Sequence, residues 1–152
     1  MGKCNFRVAI NLIVKQEDKI CLMRRFNTGW NDGMYALMGG HVEDGESPVS
    51  AVIREAREEL GINVAEEDLT YLLTMSVNPD HIYLYFMVDK FEGKITNMEP
   101  EQCDDISFFQ INELPENIIG ADKKALSAIF GDKKQKPQAN TCGFVGGGDE
   151  GS

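Results

Sequence analysis

The chain reads as an α/β protein with helices packed around a mixed sheet. Two observations carry that reading: segments with the alternation of strands stand both before and after one internal segment with helical spacing, and a second helical pattern follows the last strand. A length of 152 residues suits a single domain with one core. The expected division is one domain over residues 1–131 and a disordered tail over 132–152, where lysines give way to Thr-Cys-Gly-Phe-Val and a glycine run. No internal repeat is visible.

Phe6 to Lys15 is the first expected strand, with Val8, Ile10, Leu12 and Val14 on one side. Gln16 to Lys19 is a polar hairpin turn, and Ile20 to Arg25 returns, ending in the pair Arg24-Arg25. Asn27 to Gly33 is a loop by its glycines and Asx residues. Trp30, the single tryptophan, is expected to anchor that loop by packing, with stacking on a base as the alternative. Met34 to Met38 is a short strand. Asp68 to Val77 and Ile82 to Asp89 are strands joined by the turn Asn78-Pro79-Asp80, and Ile106 to Ile111 is another. Ala125, Leu126, Ile129 and Phe130 give Asp122 to Phe130 a helical face that covers the sheet.

The internal helix holds most of the functional information. Ser47 is a good N-cap, Pro48 suits the first helical position, and Gly61 supplies a left-handed stop. Across Val49 to Leu60, one stripe gathers Val49, Val52, Ile53, Ala56 and Leu60, and another gathers Glu55, Glu58 and Glu59. Like charges at this spacing destabilise a helix by a few tenths of a kcal/mol per pair, about what one opposite-charge pair returns. A divalent cation offsets that repulsion. Mg²⁺ prefers carboxylate oxygens together with water and substrate phosphates. Arg54, four residues before Glu58, is spaced to fix that carboxylate. A solvated, salt-bridged surface helix is the competing explanation of the charge pattern alone.

Gly40, five residues, Glu46, seven residues, Arg54-Glu55, then Ala56-Arg57-Glu58-Glu59-Leu60-Gly61-Ile62 fill every fixed position of G-x5-E-x7-R-E-U-x-E-E-x-G-U, where U is apolar. The chain therefore resembles the Nudix hydrolases, most closely the small MutT-type branch, over about Phe6 to Phe130. The resemblance implies a Nudix-type α/β/α sandwich around a mixed β-sheet. It also implies Mg²⁺, or Mn²⁺ in its place, on Glu55, Glu58 and Glu59, with the Gly40 carbonyl as a further ligand. Glu55 or Glu58 is then the general base, and Arg54 orients the cluster. Gly39 and Gly61 belong to the structural part of the motif. Glu46 ties the acidic loop to the helix or approaches the metal cluster from outside. One departure is Met38, at a place the family usually gives to proline. Proline there is expected to leave the chemistry intact and to raise stability slightly through the unfolded chain.

Further site expectations follow from the resemblance. Arg24 or Arg25 faces the substrate phosphates, an ordinary exposed charge being the alternative for each. Asn97-Met98-Glu99-Pro100-Glu101-Gln102 is similar to the N-x-E-P-x-K segment of triphosphate-cleaving members, with Gln102 in place of lysine. Glu99 or Glu101 would add a carboxylate to the metal site, and Asn117 is a candidate contact to the base. His41 is expected as a loop residue and His81 as a surface residue, neither a ligand. Pro79 lies near a position that accompanies ADP-ribose substrates elsewhere in the family, although its turn explains it.

The implied reaction is hydrolysis of a pyrophosphate bond, with a nucleoside triphosphate giving the monophosphate and pyrophosphate. ADP-ribose or another nucleoside diphosphate conjugate is the alternative substrate. A third reading, a silent nucleotide-sensing domain, fits poorly with an intact set of Glu46, Arg54, Glu55, Glu58 and Glu59. A net charge of −10 argues against a nucleic-acid partner bound through its backbone. Four cysteines without a C-x-x-C pair, and no signal-peptide pattern, predict reduced thiols in the cytoplasm. No apolar run is long enough to span a bilayer, and Phe6 spoils a myristoylation signal at Gly2. The partner expected is a small nucleotide; monomer and homodimer are both open.

Overall fold

The computed structural model describes residues 2–131. The tail expected over 132–152, and Cys142 with it, lies outside the described residues. In chain order the strands are β1 (Arg7–Gln16), β2 (Lys19–Arg25), β3 (Tyr35–Ala36), β4 (Met38–His41), β5 (Thr70–Val77), β6 (His81–Val88) and β7 (Cys103–Gln110). The helices are α1 (Pro48–Glu55), between β4 and β5, and α2 (Gly120–Phe130) at the end.

β1 is the spine. It runs parallel to β6 from Arg7 to Val14, antiparallel to β4 from Ala9 to Leu12, and closes a hairpin on β2 at Lys15 and Gln16. β5 lies antiparallel outside β6, while β2 carries β7 and, through Met23 and Arg24, β3. The sheet is thus mixed, as expected. On one face Ile10, Leu12 and Val14 pack with Ala51 and Val52 of α1 and with Ala56 and Leu60 beyond it. On the other face Ile13, Leu73 and Tyr85 pack with Ala125 and Leu126 of α2. Helices on both faces of one sheet make the predicted α/β/α sandwich.

Ile10, Leu12 and Val14 share one face of the first strand, as expected, yet Ala9 through Val14 are all buried, because a central strand of a sandwich is covered on both faces. Three expectations change. The strand expected over Met34 to Met38 is two strands, because β3 pairs with β2 whereas β4 pairs with β1. Leu37, between them, gives its backbone N–H to the Asp122 carboxylate at 2.9 Å. The helix expected over Val49 to Leu60 is α-helical only as far as Glu55 and continues as a π-helical turn over Ala56–Leu60. Such turns recur at functional sites. Met38 is fully buried, 1% exposed, and faces Leu12 across the strand pair. It is a core residue, which argues against proline as a stabilising replacement there.

The caps are as read. The Ser47 hydroxyl accepts from the Ser50 N–H at 3.1 Å, and Gly61 ends the helical segment at φ 69°.

Candidate active site

Arg54 is the hub of the acidic loop and the helix. Its Nε donates to Glu46 Oε2 at 2.7 Å, and Nη2 donates to Glu46 Oε1 at 3.0 Å and to the His41 carbonyl at 3.1 Å. Nη1 reaches Glu55 at 3.1 Å and Glu58 at 3.2 Å. One guanidinium therefore joins the end of β4, the loop and two of the motif glutamates. The bidentate geometry on Glu46 is the strong form of a carboxylate contact. Glu46 also accepts from the Glu43 N–H at 3.0 Å, and the Arg54 hydrogen bond holds its carboxyl below the usual range. Of the two roles expected for Glu46, the loop-to-helix tie is the one the contacts describe.

The remaining acids converge where β4 approaches the helix. Glu55 has a side chain only 13% exposed, while Glu58 is 52% exposed and turns to solvent. Burial pushes the Glu59 carboxyl well up, and the neighbouring Glu55, within hydrogen-bonding reach, pushes the same way, as does Glu99. The Gly39 N–H donates to Glu59 and acts in the opposite sense. Glu99 comes from the segment before β7, held by an Asx turn in which its N–H donates to Asn97 Oδ1 at 3.0 Å. Burial, then Glu55, Glu58 and Glu101, raise the Glu99 carboxyl. Glu101 is exposed and acts here only through its charge.

Two glycines allow this approach. A Cβ on Gly40 would collide with the Glu55 carboxylate, and one on Gly39 would lie 2.5 Å from the Ile10 carbonyl. A side chain at Gly40 would push the strand away from Glu55, and one at Gly39 would push it away from β1.

Carboxylates and a main-chain carbonyl are an all-oxygen donor set, which fits a hard divalent cation. Burial first, and then the neighbouring carboxylates, raise Glu59 and Glu99, and a bound cation would offset both. Among the described residues no three acidic, His or Cys side chains are gathered tightly enough to enclose an ion as they stand. Mg²⁺ is commonly completed by water and substrate oxygens, so one or two firm protein ligands suffice.

A cavity of about 370 Å³ opens beside the acids. Gly39, Glu59 and Glu99 line it, as do Arg24, Arg25, Thr28 and Gln102. Met23, Ala36, Leu37 and Cys103 supply the apolar lining. Both candidate arginines therefore line it, each already held: Arg24 donates to Asp104 at 2.7 Å, and Arg25 donates to the Trp30 carbonyl at 2.6 Å. Asn117 is not part of this lining; its amide donates to the Gly33 carbonyl at 3.0 Å and its own carbonyl accepts from the Tyr35 N–H. Trp30 does not pack into the core: it is 53% exposed, and the Arg25 guanidinium lies over its ring, 4.8 Å from the centroid.

His41, expected in a loop, is instead the last residue of a strand. His41, at the end of β4, lies 5.8 Å ring to ring from His81, whose Nδ1 pairs with Asp80. Pro79 sits in the β5–β6 turn, as expected.

Sequence reasoning missed Thr28, Cys103 and Asp122. Thr28 is signalled by Asp32 four residues on, whose carboxylate accepts from the Thr28 N–H at 3.0 Å. Cys103 lies at the start of a strand that periodicity began at Ile106. Asp122 reads as an ordinary first-turn acid of α2, yet it is buried and bonded to Leu37 N–H and, at 2.8 Å, to the Tyr85 hydroxyl.

Comparison with known proteins agrees with this fold. The family model for the NUDIX domain matches residues 5–129. An ADP-ribose pyrophosphatase of Methanocaldococcus jannaschii is 32% identical over 122 residues, spanning 76% of this chain and 69% of that protein. The NAD-capped RNA hydrolase NudC of Pseudomonas aeruginosa is 32% identical over 105 residues, 68% of this chain but only 36% of NudC. The 8-oxo-dGTP diphosphatase of Escherichia coli K12 is 29% identical over 107 residues, 70% of this chain and 83% of that enzyme. The crystal structure of a MutT NUDIX hydrolase from Burkholderia pseudomallei superposes with a TM-score of 0.73 at 26% identity, covering 80% of this chain and 95% of the other. With its motif intact and the family model matched along most of its length, the chain belongs to the Nudix hydrolases.

Proposed function

We propose that this enzyme hydrolyses the pyrophosphate bond of a nucleoside triphosphate, releasing the monophosphate and pyrophosphate, with Mg²⁺ as its cation and Mn²⁺ as a substitute. The domain that does so corresponds to residues 1–131. The observation that carries the reading is a single cavity lined by Glu59 and Glu99 together with Arg24 and Arg25, with Glu55 within hydrogen-bonding reach of Glu59.

Glu55, Glu58, Glu59, Glu99 and the Gly40 carbonyl would hold the cation. When bound, it supplies charge neutralisation at the phosphate oxygens and lowers the pKa of a water. The chain's own residues do the rest. Arg54 keeps Glu55 and Glu58 aimed, through contacts at 3.1 and 3.2 Å. Glu55 and Glu58 are the carboxylates available to take the proton of the attacking water. Arg24 and Arg25, which line the same cavity, orient the phosphate chain. Asn117, with its amide bonded to Gly33, braces the loop after β2.

A second reading has a specific support: the relative from M. jannaschii is named for ADP-ribose. A panel of nucleoside triphosphates and ADP-ribose, each with Mg²⁺, Mn²⁺ or EDTA, separates the two by products. Pyrophosphate with a nucleoside monophosphate supports the first, and AMP with ribose 5-phosphate the second. Turnover that persists undiminished in EDTA would sink both.

A further inference from the structure

We propose that Trp30 is a stacking platform for the base of the substrate, pre-set by the Arg25 guanidinium beneath it. The inference rests on the reading of the neighbouring cavity as the nucleotide site. An exposed apolar side chain alone means little. Here the exposed indole is also held in place. Arg25 Nη2 donates to Thr28 Oγ1 at 2.9 Å while its Nε donates to the Trp30 carbonyl, so the planar fork under the ring has a fixed orientation. The Asp32 carboxylate accepts from the N–H groups of Thr28 at 3.0 Å and Gly29 at 2.9 Å, and from the Thr28 hydroxyl. At the start of the loop the Phe26 N–H donates to the Gln102 carbonyl at 3.0 Å, fastening it to the cavity wall.

The platform is therefore ordered before any ligand arrives, which removes the side-chain and loop ordering that binding would otherwise have to overcome. It also adjoins the cavity, because Arg25 and Thr28, both bonded to the Trp30 carbonyl, line it. A cation covers one face of the indole and leaves a π-surface for a flat partner. Aromatic bases stack on such surfaces with little regard to their identity. A phosphate chain lying between Arg24, Arg25 and the acids would carry its base toward this loop.

Trp30 is the only tryptophan in the chain, so the wild-type protein reports on its own platform. With EDTA present to suppress turnover, ATP and GTP should quench tryptophan fluorescence saturably, whereas pyrophosphate and ribose 5-phosphate should not. In steady-state assays with Mg²⁺, Trp30→Ala should raise KM by about 5- to 150-fold with kcat changed less than twofold, and Trp30→Phe should recover part of the loss. Circular dichroism confirms that the variants fold. Fluorescence unmoved by millimolar ATP and GTP, or equal quenching by pyrophosphate, would overturn the proposal, as would an unchanged KM in Trp30→Ala. If the wild type cleaves no nucleotide at all, the catalytic reading fails, and the fluorescence titration still decides the platform.

Discussion

Replacing Asp122 by asparagine should change how stability depends on pH, and in a calculable direction. Burial pushes this carboxyl up from its ordinary 3.8 to about 6, against the opposing pull of the Leu37 N–H and Tyr85 hydroxyl bonds. The folded state therefore holds the proton more tightly than the unfolded chain does. Its contribution is fully present below the unfolded value near 4 and is lost as pH rises through about 6. The whole effect corresponds to about 3 kcal/mol, of which roughly half falls between pH 5 and 7.5. Asparagine is nearly isosteric, accepts from Leu37 N–H through its oxygen and donates to the Tyr85 oxygen through its nitrogen. Asp122→Asn should thus lose stability relative to wild type at pH 5 and regain about 1.5 kcal/mol of that difference by pH 7.5. Urea unfolding followed by circular dichroism at the two pH values measures it. Parallel stability profiles for the two proteins would refute the assignment of a buried, proton-retaining carboxyl.

Three further outcomes are expected. Glu58→Gln should lower kcat by about 10²- to 10⁴-fold in Mg²⁺ with an unchanged urea midpoint, since the side chain is more than half exposed; wild-type turnover would remove Glu58 from the site. Arg54→Lys replaces a fork that binds Glu46 through two atoms by a point charge, and should cut kcat at least tenfold while Glu46→Gln gives a similar loss; a tenfold-active difference between the two variants would separate what the structure joins. Met38→Pro deletes a fully buried side chain facing Leu12 and should cost about 2 kcal/mol, seen as a fall in Tm of about 5 °C or more by calorimetry; an unchanged or higher Tm would show that the core closes over the gap.

Much of the site was legible because its chemistry is local in sequence. Glu46, Arg54, Glu55, Glu58 and Glu59 lie within 14 residues, and a helix with a Ser47 cap and a Gly61 stop converts that spacing directly into neighbours. The mixed sheet and the two covering helices followed from periodicity. What did not follow depends on contacts between distant segments. Nothing in the alternation of Val8 to Val14 reveals that β6 and β4 flank it and that both faces are covered. Asp122 looks like a helix-start acid until α2 docks and brings Leu37 and Tyr85 to it, 85 and 37 residues away. Met38 looks like a turn defect until β4 is seen against Leu12. Trp30 misled for the opposite reason: a lone indole is usually buried, and here a cation 4.8 Å away occupies one face instead of the core.

The parallel register of β1 with β6 sets an order of events during synthesis. Arg7 meets His81, so the amino-terminal strand waits for 74 more residues before its neighbour exists. At translation rates of about 5–20 residues per second that interval is on the order of 4–15 s. During it the stretch from Ala9 to Val14 has β4 as its one sheet neighbour, and that only from residue 41 onward. The nascent chain is then most vulnerable to association with other chains, and slowing its emergence between β4 and β6 should lower the yield of native enzyme.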